Sequence, residues 1–131
     1  MSEKWNTEEI MKFLDKYEEY ECLWNIRHND YMNRNKRDAA LQEIRDALIE
    51  LEVNIPSLDF LRKKIKTLKT VYRQELIKVE KSKKSGAGVE DIYHPRLSWF
   101  KRADSFLRDV TISRASSTNL VSFFYLLDFF V

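Results

Sequence analysis

Apolar residues recur every three or four positions along four segments of the chain, which is the spacing of one face of an α-helix. The apolar positions of the first segment are Ile10, Phe13, Leu14 and Tyr17. They follow Asn6 and Glu9, whose spacing is typical of the capping box that begins a helix. The pattern predicts a first helix over about residues 7–19.

A second apolar face predicts a helix that ends before Asn54 and Pro56, since proline cannot continue a helix. Its apolar positions are Ala40, Leu41, Ile44, Leu48 and Leu51. The preceding segment, residues 21–36, is long and polar but contains several large apolar side chains, Trp24 among them. We therefore expect this connection to fold over the core, with a short helical turn near residues 29–32.

The third segment is the longest, and Ser57 and Asp59 at its start are typical of a helix N-terminus. Its apolar face comprises Leu58, Leu61, Ile65, Leu68, Tyr72, Leu76 and Val79. The face predicts a helix to about Lys81, after which Gly86 and Gly88 break the pattern.

A fourth apolar face predicts a helix over about residues 97–110, and the composition changes abruptly after it. The inner positions of this helix are Trp99, Ala103, Phe106 and Val110. Residues 111–119 have the composition of a polar linker, and the last ten residues are very apolar. We predict one domain over residues 1–110, followed by a linker and an apolar tail over residues 111–131. Three interpretations of tail residues 120–131 stay open: packing on the bundle, binding a partner, or an altered C-terminus.

The composition agrees with an all-α domain. The 131 residues include only two Gly and two Pro, so residues that favour turns are scarce. Apolar residues make up 44% and charged residues 34%, which is typical of a globular chain with its own core. The first 16 residues lack the apolar core of a signal peptide. The terminal apolar run is about half the roughly 20 residues that a spanning helix needs, so no membrane partner is predicted.

Charge is distributed unevenly along the chain. Ten of the 23 Lys and Arg residues lie between Arg62 and Lys84, where the only acids are Glu75 and Glu80. That stretch carries a formal +8, so the remaining residues sum to −6 to give the total of +2. An acidic body with one basic helix predicts a polyanionic partner, and nucleic acid is the first candidate.

A helical wheel separates the cations of the third helix into faces, because each residue turns the helix by about 100°. Four cations form one row beside the core face, here called the basic stripe: Arg62, Lys66, Lys69 and Arg73. Beside it lie Lys63, Thr70 and Gln74, here called the groove face. Cations hold phosphates and guanine edges, while Gln and Thr can contact adenine and the thymine methyl group. The two faces favour major-groove binding; a merely solvated cationic surface is the alternative.

Other candidate chemistry is weak. Cys22 has no His nearby in sequence to activate it and is interpreted as a small buried side chain. His28 and His94 have no Cys or carboxylate partner at the spacing of a zinc site. Gly86-Ala-Gly88 lacks the Lys-Ser/Thr pair that completes a phosphate-binding loop. We therefore expect no enzymatic activity, no metal or other cofactor, and no small-molecule substrate.

Several separated segments, taken together and in order, resemble the MADF domain family, relatives of the Myb/SANT helix bundles in animal transcription regulators. The matching residues are 22–24, 31–38, 44, 61–75, 83–88, 93–95, 99–100 and 106–107. The resemblance covers about residues 8–110, and it implies an all-α, three-helix, Myb-like core with a long third helix. An additional C-terminal helix, the fourth predicted above, completes this fold class.

The family resemblance also implies a nuclear, sequence-specific regulator whose third helix enters the major groove of double-stranded DNA. The residues expected to face bases are Lys63, Lys66, Thr70, Arg73 and Gln74. The residues expected near phosphates are Arg62, Lys69, Arg34, Lys36, Arg37, Lys83 and Lys84. Trp24, Tyr72, Trp99 and Phe106 are assigned to the core.

A protein-interaction module is the alternative function, since SANT-like bundles can bind chromatin or corepressor proteins instead of DNA. Charge separates the two hypotheses: basic histone tails would require an acidic third helix, whereas this one is strongly basic. Family members often carry a C-terminal motif for protein association, and residues 111–131 do not match it. A protein partner or a homodimer therefore stays an open question.

Overall fold

A computed structural model describes residues 4–84 and 92–117, and this part of the chain consists of helices joined by loops and turns. The helices are α1 (Thr7–Glu19), a short 3₁₀ helix (Glu21–Leu23), α2 (Arg34–Glu50), α3 (Leu58–Lys84) and α4 (Phe100–Ser117). The all-α fold, the long third helix and the additional C-terminal helix are confirmed. Within the described residues, no helix is long and apolar enough to cross a membrane.

Helix α1 begins and ends where the sequence predicts. The Asn6 side chain accepts a hydrogen bond from the Glu9 backbone N–H at 2.8 Å, and the Asn6 N–H donates to Glu9 Oε1 at 3.0 Å. This capping box satisfies two backbone donors at the helix end. On the inner side, Phe13, Leu14 and Tyr17 are buried. The predicted apolar face therefore forms the core side of α1.

The start of α2 differs from the prediction. Residues 29–32 form turns without a helix, and α2 begins at Arg34, capped by the Asn33 side chain, which accepts from the Lys36 N–H at 3.1 Å. The 3₁₀ helix was not predicted at all. Asn33 is a strong N-cap residue. Because the residues on both sides of it are polar, the spacing of apolar residues does not indicate that a helix begins there.

Helix α2 ends in a Schellman motif. The Val53 N–H donates to the Leu48 carbonyl at 2.9 Å, and the Glu52 N–H donates to the Ile49 carbonyl at 3.0 Å. Glu52 adopts a positive φ of 66°, the left-handed conformation that this motif requires. Val53 and Leu48 are both buried, so the motif also fixes the chain against the core.

Helix α3 begins after Ser57, whose Oγ accepts from the Phe60 N–H at 3.1 Å. Helix α4 differs more from the prediction. It begins at Phe100, after a turn in which the Phe100 N–H donates to the Leu97 carbonyl, and it continues through Ser117. The polar linker predicted from residue 111 is instead helical as far as Ser117, and this stretch contains no Gly or Pro to break the helix. Residues 118–131, including the apolar tail, lie outside the described part of the chain.

The four α-helices share one core. Helix α1 packs against α2 and α4, and α3 packs against the same two helices. The most deeply buried side chains are Phe13, Leu14, Tyr17, Ile44, Leu48, Val53, Leu61 and Tyr72. Tyr72, Trp99 and Phe106 are buried as predicted, whereas Trp24 is half-buried at the edge of the core. The division of the chain at residue 110 stays a prediction, although α4 runs across it.

Polar contacts fix α4 against both of its neighbours. The Tyr72 hydroxyl of α3 donates to Asp104 Oδ1 at 2.7 Å, and Arg108 donates to both oxygens of the same carboxylate. On the other side, Arg102 donates to Asp15 at 2.9 Å and to Glu18 at 2.6 Å. The Tyr72 contact thus joins α4 to α3, and the Arg102 contacts join α4 to α1.

Candidate nucleic-acid interface

The N-terminal half of α3 carries an accessible polar surface. Lys63 and Lys66 are exposed, and Thr70 and Gln74, one and two turns further along, are partly exposed. Thr67 is exposed beside them and was not among the predicted site residues. Its position on the wheel, next to Lys63 and Thr70, could have identified it. The groove face predicted from spacing is therefore an accessible surface of the folded domain.

Hydroxyl groups on this surface are turned toward the helix backbone. Thr67 Oγ1 donates to the Lys63 carbonyl at 3.0 Å, and Thr70 Oγ1 donates to the Lys66 carbonyl at 2.9 Å. Each hydroxyl oxygen keeps lone pairs that can accept a hydrogen bond. In the major groove, the methyl group of a Thr side chain can make apolar contact with a thymine methyl group.

The basic stripe is divided by the fold into two environments. Arg62 and Lys66 are exposed, whereas Lys69 and Arg73 are half-buried. Lys69 and Arg73 line a small cavity together with Trp24, Ile26, Tyr31, Tyr72, Leu107, Val110 and Thr111. The connection between α1 and α2 folds over this part of α3, which a wheel for an isolated helix cannot show. Arg73, one of the predicted base-facing residues, is thus half-buried beside this connection.

A second concave surface lies between the start of α2 and α3, here called the α2–α3 cleft, with a volume of about 400 Å³. Its lining residues are Tyr17, Leu23, Arg34, Arg37, Asp38, Leu41, Arg62, Ile65 and Lys69. Four of these are cations that the sequence assigned to phosphates, and they come from two helices. Among the described lining residues, the one acid is Asp38. The cleft therefore carries a formal charge of +3 over an apolar floor.

Ion pairs order the cations around this cleft. Arg62 Nη2 lies 3.2 Å from Asp38 Oδ1, and Arg34 Nε lies 3.9 Å from Asp38 Oδ2. The Arg37 guanidinium lies over the Tyr31 ring, 5.5 Å from its centroid. All of these groups are at least partly exposed, so each pair contributes modestly to stability. The role of Asp38 was missed because its partner Arg62 lies on another helix.

Two other predicted phosphate residues, Lys36 and Lys83, are not among the residues that line the cleft. Lys36 is exposed on α2 and lies 3.3 Å from Asp30. Lys83 pairs with Glu80 at 3.5 Å near the end of α3. The side chain of Lys84 lies outside the described part of the structure. Of the described side chains in the predicted phosphate set, four therefore line the α2–α3 cleft, and Lys36 and Lys83 do not.

Burial affects two other titratable groups near the site, Tyr17 and Cys22. Burial raises the pKa of Tyr17, which keeps this phenol neutral under the cleft. Burial also raises the pKa of the Cys22 thiol, with the Asp30 carboxylate acting in the same direction, so its nucleophilic thiolate form is disfavoured. In residues 4–84 and 92–117, no group of three or more His, Cys, Asp or Glu side chains could hold a metal ion.

Comparison with known proteins identifies the domain. The family model described as "Alcohol dehydrogenase transcription factor Myb/SANT-like" matches residues 3–104, which is most of the chain. Searches of curated proteins and of solved structures found no match. A DNA-binding family of this type indicates DNA binding with a regulatory role, and it suggests the nucleus as its location. The chain belongs to the MADF family of Myb/SANT-like DNA-binding domains.

Proposed function

We propose that this protein binds specific sequences of double-stranded DNA through α3 in the major groove and thereby regulates transcription. The observation that carries the proposal is the accessible face of α3, on which Lys63 and Lys66 are exposed beside Thr67, Thr70 and Gln74. A single helix fits the B-form major groove, and these side chains offer cationic, amide and methyl contacts to base edges. The family to which the chain belongs supports DNA as the partner.

The proposed DNA contacts fall into two groups, those to bases and those to phosphates. Base contacts are assigned to Lys63, Lys66, Thr70, Arg73 and Gln74 on α3. Phosphate contacts are assigned to Arg62, Lys69, Arg34 and Arg37 around the α2–α3 cleft, and also to Lys36, Lys83 and Lys84. Phosphate contacts fix the position of a protein on DNA, whereas base-edge contacts select the sequence. The exposed residues of the groove face should therefore determine the preferred site.

One base-facing cation on this surface is paired with a carboxylate in the free protein. Lys63 Nζ lies 3.2 Å from Asp59 Oδ2 on the preceding turn, with both side chains mostly exposed. An exposed pair of this kind exchanges readily with solvent and with other anions. Lys63 can therefore leave Asp59 for a guanine edge or a phosphate at a small free-energy cost.

The test begins with selection of preferred sites by the full chain from a random pool of duplexes. Binding to the selected duplex is then measured by fluorescence anisotropy for the Lys63→Gln/Lys66→Gln double variant. We expect its affinity to fall by at least about tenfold, since two direct contacts are lost. The control is Lys4→Gln/Lys101→Gln, which removes the same charge from exposed positions outside α3 and should change affinity by less than about threefold.

Two outcomes would contradict the proposal. If selection yields no enriched sequence, binding is not specific. If the α3 double variant and its control lose the same affinity, general charge and not α3 determines binding. Circular dichroism of each variant, compared with the unchanged chain, verifies that the helices are retained.

A further inference from the structure

Asp38 is placed where a DNA phosphate would be expected. It lies on the first turns of α2 at the edge of the α2–α3 cleft, and its carboxylate contacts Arg62 at 3.2 Å and Arg34 at 3.9 Å. Its side chain is 43% exposed, so it is accessible to solvent at the mouth of the cleft. Asp38 thus pairs with the same guanidinium groups that are proposed to bind phosphates of the DNA backbone.

The cleft around Asp38 has the features of a phosphate site. Arg34 and Arg37 project from α2, while Arg62 and Lys69 project from α3, and all four line one cavity. Arginine binds carboxylate and phosphate through the same planar donors. A phosphate that enters the cleft must therefore either displace the Asp38 carboxylate or remain near it against like-charge repulsion.

We propose that Asp38 is an internal competitor for a backbone phosphate of DNA. Its carboxylate holds Arg62 and Arg34 in the free protein and is displaced when a phosphate binds in the α2–α3 cleft. This competition lowers affinity for every duplex to the same extent, because phosphates are the same in all sequences. The inference rests on the proposed function, and it names Asp38 as a residue that weakens sequence-independent binding.

The ordering of the cations suits this exchange. Leu41 and Tyr17 form a buried floor under the cleft, so the backbone positions of the two helices are fixed by the core. Asp38 then keeps Arg62 close to its binding position before DNA arrives. The carboxylate therefore preorganises Arg62 and at the same time lowers the affinity of the cleft for phosphate. A substitution that removes the charge of Asp38 measures the second effect.

The test uses Asp38→Asn, which keeps the shape of the side chain and removes its charge. The matched control is Asp46→Asn, the same change two turns further along α2, where the exposed Asp46 accepts only a hydrogen bond from Gln42 at 3.0 Å among the contacts described. Binding of a random-sequence duplex is measured by anisotropy at several salt concentrations. Both variants raise the net charge of the protein by one, so only position differs between them.

We expect D38N to bind the random duplex about three- to tenfold more tightly than the unchanged chain at low salt. The slope of log K against log salt should stay close to that of the unchanged chain, because the same phosphate is neutralised in both proteins. D46N should change the affinity by less than about twofold. The ratio of affinities for selected and random duplexes should not increase in D38N, because the gain is independent of sequence.

A double-mutant cycle with Arg62→Gln tests the mechanism. If Asp38 acts by occupying Arg62, the gain from D38N should fall below about twofold in the R62Q background. Equal gains from D38N and D46N would overturn the inference while leaving the proposed function intact, and so would weaker binding by D38N. If the unchanged chain does not bind any duplex, the proposed function fails, and this inference fails with it.

Discussion

At the scale of single residues, Glu52 adopts a backbone conformation that its side chain disfavours. A non-glycine residue at φ 66° is strained by contact between its Cβ and the backbone. The Schellman motif nevertheless requires this conformation at the end of α2. The buried Val53 and Leu48 on either side show why it is maintained.

Replacing Glu52 with Gly should stabilise the protein by about 0.5–1 kcal/mol. Gly removes the left-handed strain, and part of this gain is offset by the greater freedom of Gly in the unfolded chain. Urea unfolding followed by circular dichroism measures the change. The control is Glu50→Gly, at the last residue of α2, which should destabilise by about 0.5–1 kcal/mol because no left-handed residue is needed there. A destabilised E52G variant would contradict the strain argument.

Arg102 connects two helices through a single side chain. It donates to Asp15 at 2.9 Å and to Glu18 at 2.6 Å on α1, and its guanidinium lies over the Phe106 ring at 5.4 Å from the centroid. Its side chain is 24% exposed, so it is better shielded than the surface pairs of α3. Several contacts to one ordered Arg are worth more than an isolated exposed pair.

Arg102→Ala should therefore destabilise the protein by about 1–2 kcal/mol, through lost packing as well as lost charge. The neighbouring exposed residue Lys101 provides the control, since Lys101→Ala should change stability by less than about 0.5 kcal/mol. Thermal unfolding of both variants provides the comparison. An equal effect of the two substitutions would show that the contacts to α1 contribute nothing beyond general charge.

At the scale of elements, periodicity predicts the helices whose apolar faces are continuous and capped. The 13 residues of α1 are found within the predicted bounds, since Asn6 and Glu9 signal the start clearly. The predictions are less accurate where polar sequence adopts helical structure, as at the start of α2 and over residues 111–117 of α4. Propensity alone allows both helix and loop there, and packing of neighbouring segments decides between them.

The candidate site shows the same limit. A wheel correctly separates the core face of α3 from its polar faces, because those angles depend on one helix only. It cannot show that the connection between α1 and α2 lies beside Arg73, or that Asp38 reaches Arg62 from α2. Both facts depend on contacts between elements distant in sequence. The types of residue in the site could therefore be predicted, but not their pairing.

At the scale of the whole molecule, two buried phenols make stability depend on alkaline pH. Burial raises the pKa of Tyr17, and burial together with the hydrogen bond to Asp104 raises the pKa of Tyr72. In the unfolded chain both phenols ionise near pH 10. Above that pH the unfolded state has released protons that the folded state still holds, so the folded state loses relative stability as pH rises.

The free energy of unfolding should fall above about pH 10 by up to about 1.4 kcal/mol per pH unit for each of these two residues. Urea unfolding at several pH values from about 8 to about 11, which bracket the phenol pKa in the unfolded chain, measures the slope. Tyr72→Phe lacks one of the two phenols and should show a shallower fall above pH 10, although it starts from lower stability without the bond to Asp104. An unchanged slope in this variant would contradict the assignment.

At the scale of the whole molecule, the salt dependence of DNA binding reports the number of phosphates that the protein neutralises. The net charge is only +2, but the stretch from Arg62 to Lys84 carries +8 and an acidic body carries the opposite sign. Pairs such as Arg62 with Asp38 and Lys63 with Asp59 must open before phosphates can use these cations.

We expect four to six phosphates to be neutralised, which gives a slope of log K against log salt of roughly −4 to −5. Anisotropy titrations of the selected duplex between about 0.05 and 0.3 M salt measure this slope. Arg62→Ala should reduce its magnitude by about 0.9 and weaken all duplexes similarly, while Gln74→Ala should leave the slope unchanged and relax the preference at one base pair. A slope shallower than about −2 would mean that the acidic body, and not the basic helix, governs the approach to DNA.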